Sequence, residues 1–167
     1  MMRTIEEQLI YHEGLRLTPY ICPAGYWTVG VGRNLESKGL TEEEQQKLFG
    51  NAGYTKSEAI ELLKERPLTK EEALFLLRND IAECEADLNQ FPWFKKLDKV
   101  RRNVLIDMRF NLGPGRFRQF KKMLDALARG DYKAAAAEMV DSRWYHQVGN
   151  RSRRLVEMMA TGEDYDT

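Results

Sequence analysis

The 167-residue sequence predicts an α+β fold that is mostly helical, with a small antiparallel β-hairpin or sheet near the N-terminus, a long connecting helix and a helical C-terminal lobe. Three observations predict it. Four segments open with Thr-x-x-Glu, the capping box in which both side chains satisfy backbone donors left over at a helix start: Thr4–Glu7, Thr41–Glu44, Thr55–Glu58 and Thr69–Glu72. Helical patterns run nearly unbroken from Phe94 onward. Only between Arg16 and Leu35 do short extended runs flank turn residues, here Pro23, Ala24 and Gly25.

Taken in order, the first helix runs from the Thr4 cap to Glu13, and Gly14 suits a left-handed cap. The hairpin follows. Helices then start at Thr41 and Thr55, the latter stopping before Pro67. The next helix, from about Lys70 to Asn89, has Leu74, Leu77, Ile81, Cys84 and Leu88 as its apolar stripe, which reads Cys84 as a packing residue. At 1.5 Å per residue it spans about 30 Å, enough to connect two lobes. Beyond it come "KKLDKVRRNVLIDMRFNL", "RFRQFKKMLDALARG", "DYKAAAAEMV" and "NRSRRLVEMMATG", punctuated by Gly113-Pro114-Gly115 and Gly130. This gives one domain over 1–167: a small lobe over 14–68, a connecting helix over 69–90, and a helical lobe from 1–13 and 91–167.

Composition excludes several classes. Hydrophobic residues make up 43% and charged residues 31%, which is neither disordered nor fibrous. No apolar run reaches the roughly 20 residues of a membrane helix, so no stable membrane insertion is expected. "MMRTIEEQLIYHEG" is acidic and lacks the apolar core of a signal peptide, which points to a cytoplasmic location. Cys22 and Cys84 are too few for a disulfide framework or zinc site; free thiols, no metal and no cofactor are expected. Net charge is zero but segregated: 1–94 carries −6, 95–154 carries +10, and the tail −4. The basic stretch suggests an anionic partner, cell-wall polymer or nucleic acid, against the alternative of a solvated helical surface.

The candidate chemistry sits at the first helix and the hairpin. Ile5, Leu9 and Glu13 lie four residues apart, so Glu13 continues the stripe that faces the core. A carboxyl against apolar surface holds its proton more tightly, as a general acid requires. The competing reading is a salt-bridged glutamate at a helix end. In "YWTVGVG", strand alternation puts Thr28, Gly30 and Gly32 on one face, a hydroxyl beside two positions where a ligand can approach the backbone. The competing reading there is a bulge or tight turn.

Glu13, Cys22 and Thr28, with eight and five residues between them, resemble the catalytic triad of the phage-type lysozyme (endolysin) family, which accepts aspartate or cysteine at the middle position. "EGLRL", "GYWTVGVG", "LDKVRRNVLIDMRFNLG" and "SRWYHQVGNRSRR" resemble family segments in the same order, with extra residues between about Glu36 and Leu68. The resemblance implies a lysozyme-like two-lobed fold. It also implies hydrolysis of the β-1,4 bond between N-acetylmuramic acid and N-acetylglucosamine in bacterial peptidoglycan. Glu13 would protonate the leaving oxygen, and Thr28 with Cys22 would place the attacking water, inverting the sugar. Arg151 matches the arginine that pairs with the catalytic glutamate, and Phe110 and Asn34 match substrate-contacting positions.

Three departures from the family pattern matter. A thiol at Cys22 replaces a carboxylate, which leaves it a water-side helper, a nucleophile or a packing residue. Arg33 stands in place of a histidine, which predicts an Arg33–Asp80 ion pair between hairpin and long helix. His12 and Asp107 replace an acid and an amide, which predicts a His12–Asp107 contact. His146 reads as a surface residue. Rival functions are a catalytically impaired peptidoglycan-binding domain on the same scaffold, a lytic transglycosylase, and a nucleic-acid binder using "KVRRN" and "NRSRR". The family also implies a monomer, held in the bacterial cytoplasm until a holin pore releases it to lyse the host cell.

Overall fold

The computed structural model describes residues 3–164. Nine helices and one three-stranded sheet are found there, in the order α1 (Ile5–Glu13), β1 (Arg16–Ile21), β2 (Trp27–Gly30), β3 (Arg33–Asn34), α2 (Glu42–Phe49), α3 (Lys56–Glu65), α4 (Lys70–Leu88), α5 (Lys99–Arg118), α6 (Lys121–Ala128), α7 (Tyr132–Val140), α8 (Arg143–Val148) and α9 (Asn150–Thr161). A single 3-10 turn, Phe94–Lys96, precedes α5. The fold is α+β and lysozyme-like, as the sequence predicts.

All four capping boxes form. Thr4, Thr41, Thr55 and Thr69 each accept the N–H three residues on and donate their own N–H to Glu7, Glu44, Glu58 and Glu72, at 2.8–3.1 Å. Local chemistry therefore fixes where these helices begin. Gly113, at φ +82°, breaks α5 into two segments, so the Gly-Pro-Gly signal is a kink inside one long element.

The chain divides into two compact units, 9–80 and 1–8 with 81–167. In the first unit the sheet order is β1-β2-β3, antiparallel throughout. Its register pairs Tyr20 with Thr28 and Thr28 with Asn34. Val29, Leu35, Leu48, Leu63, Leu68, Ala73 and Leu76 form its core. The predicted Arg33–Asp80 pair is present: Arg33 Nε donates to Asp80 Oδ2 at 3.1 Å, and Nη2 lies 3.0 Å from Oδ1. Arg33 also grips Glu44 with both Nη groups, at 2.8 and 2.9 Å. Burial opposes the Arg33 charge, but Glu44 and Asp80 more than offset it, and Arg33 in turn holds the Glu44 carboxyl down at about 2 against its own burial.

The second unit is helical. Its core runs from Leu88 and Phe94 through Val104, Leu105, Met108, Phe117 and Met139 to Leu155 and Met159. Cys84 belongs to this core at 3% exposure, which fits the packing role read from its stripe. Cys22 and Cys84 are both free thiols. On α4, Asp87 accepts Arg109 Nε at 2.6 Å and both Nη groups of Arg118 at 2.6 and 2.8 Å. One carboxylate thus ties α4 to α5 on both sides of the Gly113 kink. Arg118 holds the Asp87 carboxyl down at about 2, against burial and helped by Arg109.

Candidate active site

Glu13 ends α1. Gly14 takes φ +78° and donates its N–H to the Ile10 carbonyl at 2.8 Å, which closes the helix. Leu9, one turn back on the same stripe, is fully buried, and Glu13 is half-buried. The Glu13 carboxyl lies over Gly32: a Cβ on Gly32 would stand 2.9 Å from Oε1 and 3.1 Å from the carboxyl carbon. Gly32 has φ +67°, so both its backbone and its missing side chain seat the carboxylate.

The hairpin supplies the other two groups. Cys22 opens a turn closed by its own carbonyl accepting Gly25 N–H at 2.8 Å and its own N–H reaching the Tyr26 carbonyl at 2.9 Å. Burial pushes the half-buried Cys22 thiol up. The Tyr26 N–H, the Thr28 hydroxyl and the Ala24 and Gly25 N–H groups outweigh it, and the thiol sits below its ordinary value. Thr28 is buried at 4% exposure, and its hydroxyl donates to the Tyr26 carbonyl at 2.9 Å. That single proton has two acceptors in reach, the Tyr26 carbonyl and the Cys22 sulfur. A thiolate is the stronger acceptor of the two, and the neutral thiol the weaker.

Tyr20, which sequence reasoning missed, joins these groups. Burial pushes its hydroxyl up, then the nearby Glu13 charge, with Cys22 adding to it against Arg16. Its ring carries the Arg16 guanidinium 4.3 Å from the centroid. Its position directly before "ICPAG", on the strand opposite Thr28, was the signal that could have found it.

The glycine-face reading needs correction. Strand alternation ends at Gly30, because Gly30 and Gly32 both take left-handed φ, +66° and +67°. A Cβ on Gly30 would meet Leu68 and Ala73 at 3.8 Å, so that position faces the core of its own unit, while Gly32 faces Glu13. Asn34 uses its side-chain oxygen to accept the Glu36 and Ser37 N–H groups, both at 2.9 Å, which leaves its amide nitrogen for other contacts. The half-buried His12 ring packs on Tyr11, with centroids 5.5 Å apart.

In the second unit, Arg151 donates through Nε to Asp107 Oδ1 at 2.8 Å, with Nη2 at 2.7 Å from the same oxygen. Asp107 has no exposed surface, and its Oδ2 accepts Gln8 Nε2 at 2.9 Å. Gln8 is a second residue the sequence reading missed; a buried amide beside Leu9 on the apolar stripe was its only sign. Phe110 is half-buried against the core of this unit. Among the described residues no group of three His, Cys, Asp or Glu side chains is arranged to hold a metal.

The pattern of the family described as phage lysozyme matches residues 11–159, nearly the whole chain. The chain belongs to the phage lysozyme family. This lysozyme is 29% identical to a probable T4-type lysozyme of Dictyostelium discoideum, over 97% of this chain and 96% of that protein. It is 30% identical to an endolysin of Acyrthosiphon pisum secondary endosymbiont phage 1, over 85% of this chain and 77% of that one. It is also 28% identical to the pre-baseplate central spike protein of Enterobacteria phage T4, over 95% of this chain but 28% of the spike protein. The chain is accordingly a glycoside hydrolase, a lysozyme-like enzyme acting on peptidoglycan.

Proposed function

We propose that this lysozyme hydrolyses the β-1,4 bond between N-acetylmuramic acid and N-acetylglucosamine, with Glu13 as general acid. The observation that supports it most is the Glu13 carboxyl seated on Gly32, in the same unit as the Cys22–Thr28 hairpin. Glu13 gives its proton to the glycosidic oxygen as the C1–O bond breaks. Water attacks C1 from the opposite face, placed by Thr28 and Cys22, and its proton passes to solvent. His12 supports the acid and Asn34 contacts the sugar; in the second unit, Asp107, itself held by Gln8, fixes Arg151. The product has inverted configuration.

A second reading is direct attack of Cys22 sulfur on C1 as Glu13 protonates the leaving oxygen, giving a thioether-linked intermediate that water then hydrolyses to a retained product. Against burial, hydrogen bonds from the turn lower the thiol's pKa, in keeping with it. Proton NMR of the first-formed sugar decides, because inversion supports water attack and retention supports the thiolate. Loss of turbidity of purified peptidoglycan tests the enzyme itself. Glu13→Gln is expected to lower the rate by about 10²–10⁴-fold, the usual worth of a general acid. A Glu13→Gln variant with undiminished rate overturns the assignment, and anhydro-sugar products replace hydrolysis with transglycosylation. The proposal extends to host-cell lysis, in keeping with the endolysin relative, with release from the cytoplasm through a holin pore as a further part of the proposal.

A further inference from the structure

A cavity of about 340 Å³ in the second unit contains none of the residues assigned to the lytic chemistry above. One face of α5 supplies Lys99, Arg102, Asn103 and Ile106, spaced as neighbours on a helix, and the 3-10 turn adds Lys95. Neither Lys95, Lys99 nor Arg102 makes a side-chain ion pair or hydrogen bond among the described residues; Lys99 adds only a through-space pull on the capping carboxylate of Glu7. Glu85 is the one carboxylate in the lining, so positive charge is in excess.

The second observation is Asn103. It is 5% exposed, lines the cavity, and its side-chain amide has no hydrogen-bond partner among the described residues; its one recorded bond is its backbone carbonyl accepting Gln8 Nε2. Neither of its amide atoms is fully buried, so the residue's remaining exposure lies at the amide. The amide lines the same cavity as three cations and reaches its open space.

From this geometry we infer that the cavity binds a phosphate ester. The guanidinium fork of Arg102, two ammonium groups and the Asn103 amide bring many donors to one lining, which suits a tetrahedral oxyanion with three or four acceptor oxygens better than a flat carboxylate. Phosphate fills only part of 340 Å³; Ile5, Phe94 and Ile106 form apolar wall for its organic substituent. The site is separate from the glycosidic chemistry and does not depend on it.

Titration with inorganic phosphate at constant ionic strength tests this on the native protein. Saturable shifts of the Asn103 side-chain amide and Arg102 Nε resonances in ¹⁵N NMR are expected. Arg102→Gln with Lys99→Gln, both outside the lytic machinery, is expected to weaken binding at least about tenfold, as loss of charged hydrogen bonds does. No saturable shift, or an equal shift in the double variant, overturns the inference. Two further probes fix the source of the ester: glycerol 3-phosphate binding more tightly than phosphate assigns a soluble ester, and phosphatidylglycerol vesicles sedimenting the native chain but not the double variant assign a lipid headgroup. Phosphate binding with neither ester engaged reduces the cavity to an anion site and overturns the ester assignment.

Discussion

At the scale of single residues, the acid is positioned by an absence. Gly32 leaves room that any other side chain would take from Glu13, and its φ of +67° is a conformation that costs an L-residue about 1–2 kcal/mol. Gly32→Ala is expected to lose that much stability by denaturant titration, while lytic activity falls much further, because the new methyl displaces the carboxylate. An activity loss no larger than the loss of folded protein would show that the seat is irrelevant to chemistry. The sequence made Glu13 legible through its stripe with Ile5 and Leu9. It misread the glycines: period-two alternation holds only while the backbone stays extended, and two left-handed residues reset the direction of every side chain after Val29.

At the scale of elements, two carboxylates act as clasps. Asp87 joins α4 to both segments of α5, and Glu44 serves the α2 cap, Arg33 and Asn79 together. Both have folded values near 2, below their ordinary ones of 3.8 and 4.5. A depressed carboxylate contributes stability that is fully present above its unfolded value and is lost as pH falls through the folded one. Asp87→Asn is therefore expected to cost on the order of 1–2 kcal/mol at pH 7 and progressively less between pH 4 and pH 2, measured by urea unfolding. A cost independent of pH across that window would assign the effect to packing instead. Sequence alone exposed the helix starts, since a capping box closes within four residues. It also exposed Arg33–Asp80 by family likeness, but Glu44 looked only like a cap, because its second role depends on where β3 lies.

At the scale of the whole molecule, zero net charge conceals a strong imbalance, with +10 concentrated between 95 and 154. Long-range attraction of that stretch to an anionic wall is screened within about 10 Å at 0.1 M salt. Lysis of whole cells is expected to fall as salt rises from 0.02 to 0.3 M more steeply than cleavage of a short neutral oligosaccharide; parallel slopes would remove the charge pattern from the account. By itself the sequence determined the family, the α+β class, the helix starts and the Glu13, Cys22, Thr28 spacing, all carried by near neighbours or ordered motifs. Only the tertiary structure decided that Gly32 seats the acid, that Gly30 turns inward, that Tyr20 lies near both Glu13 and Cys22, and that Arg151 is held by an Asp107 that Gln8 anchors. These depend on side chains meeting from distant parts of the chain, and no local period or cap encodes such meetings.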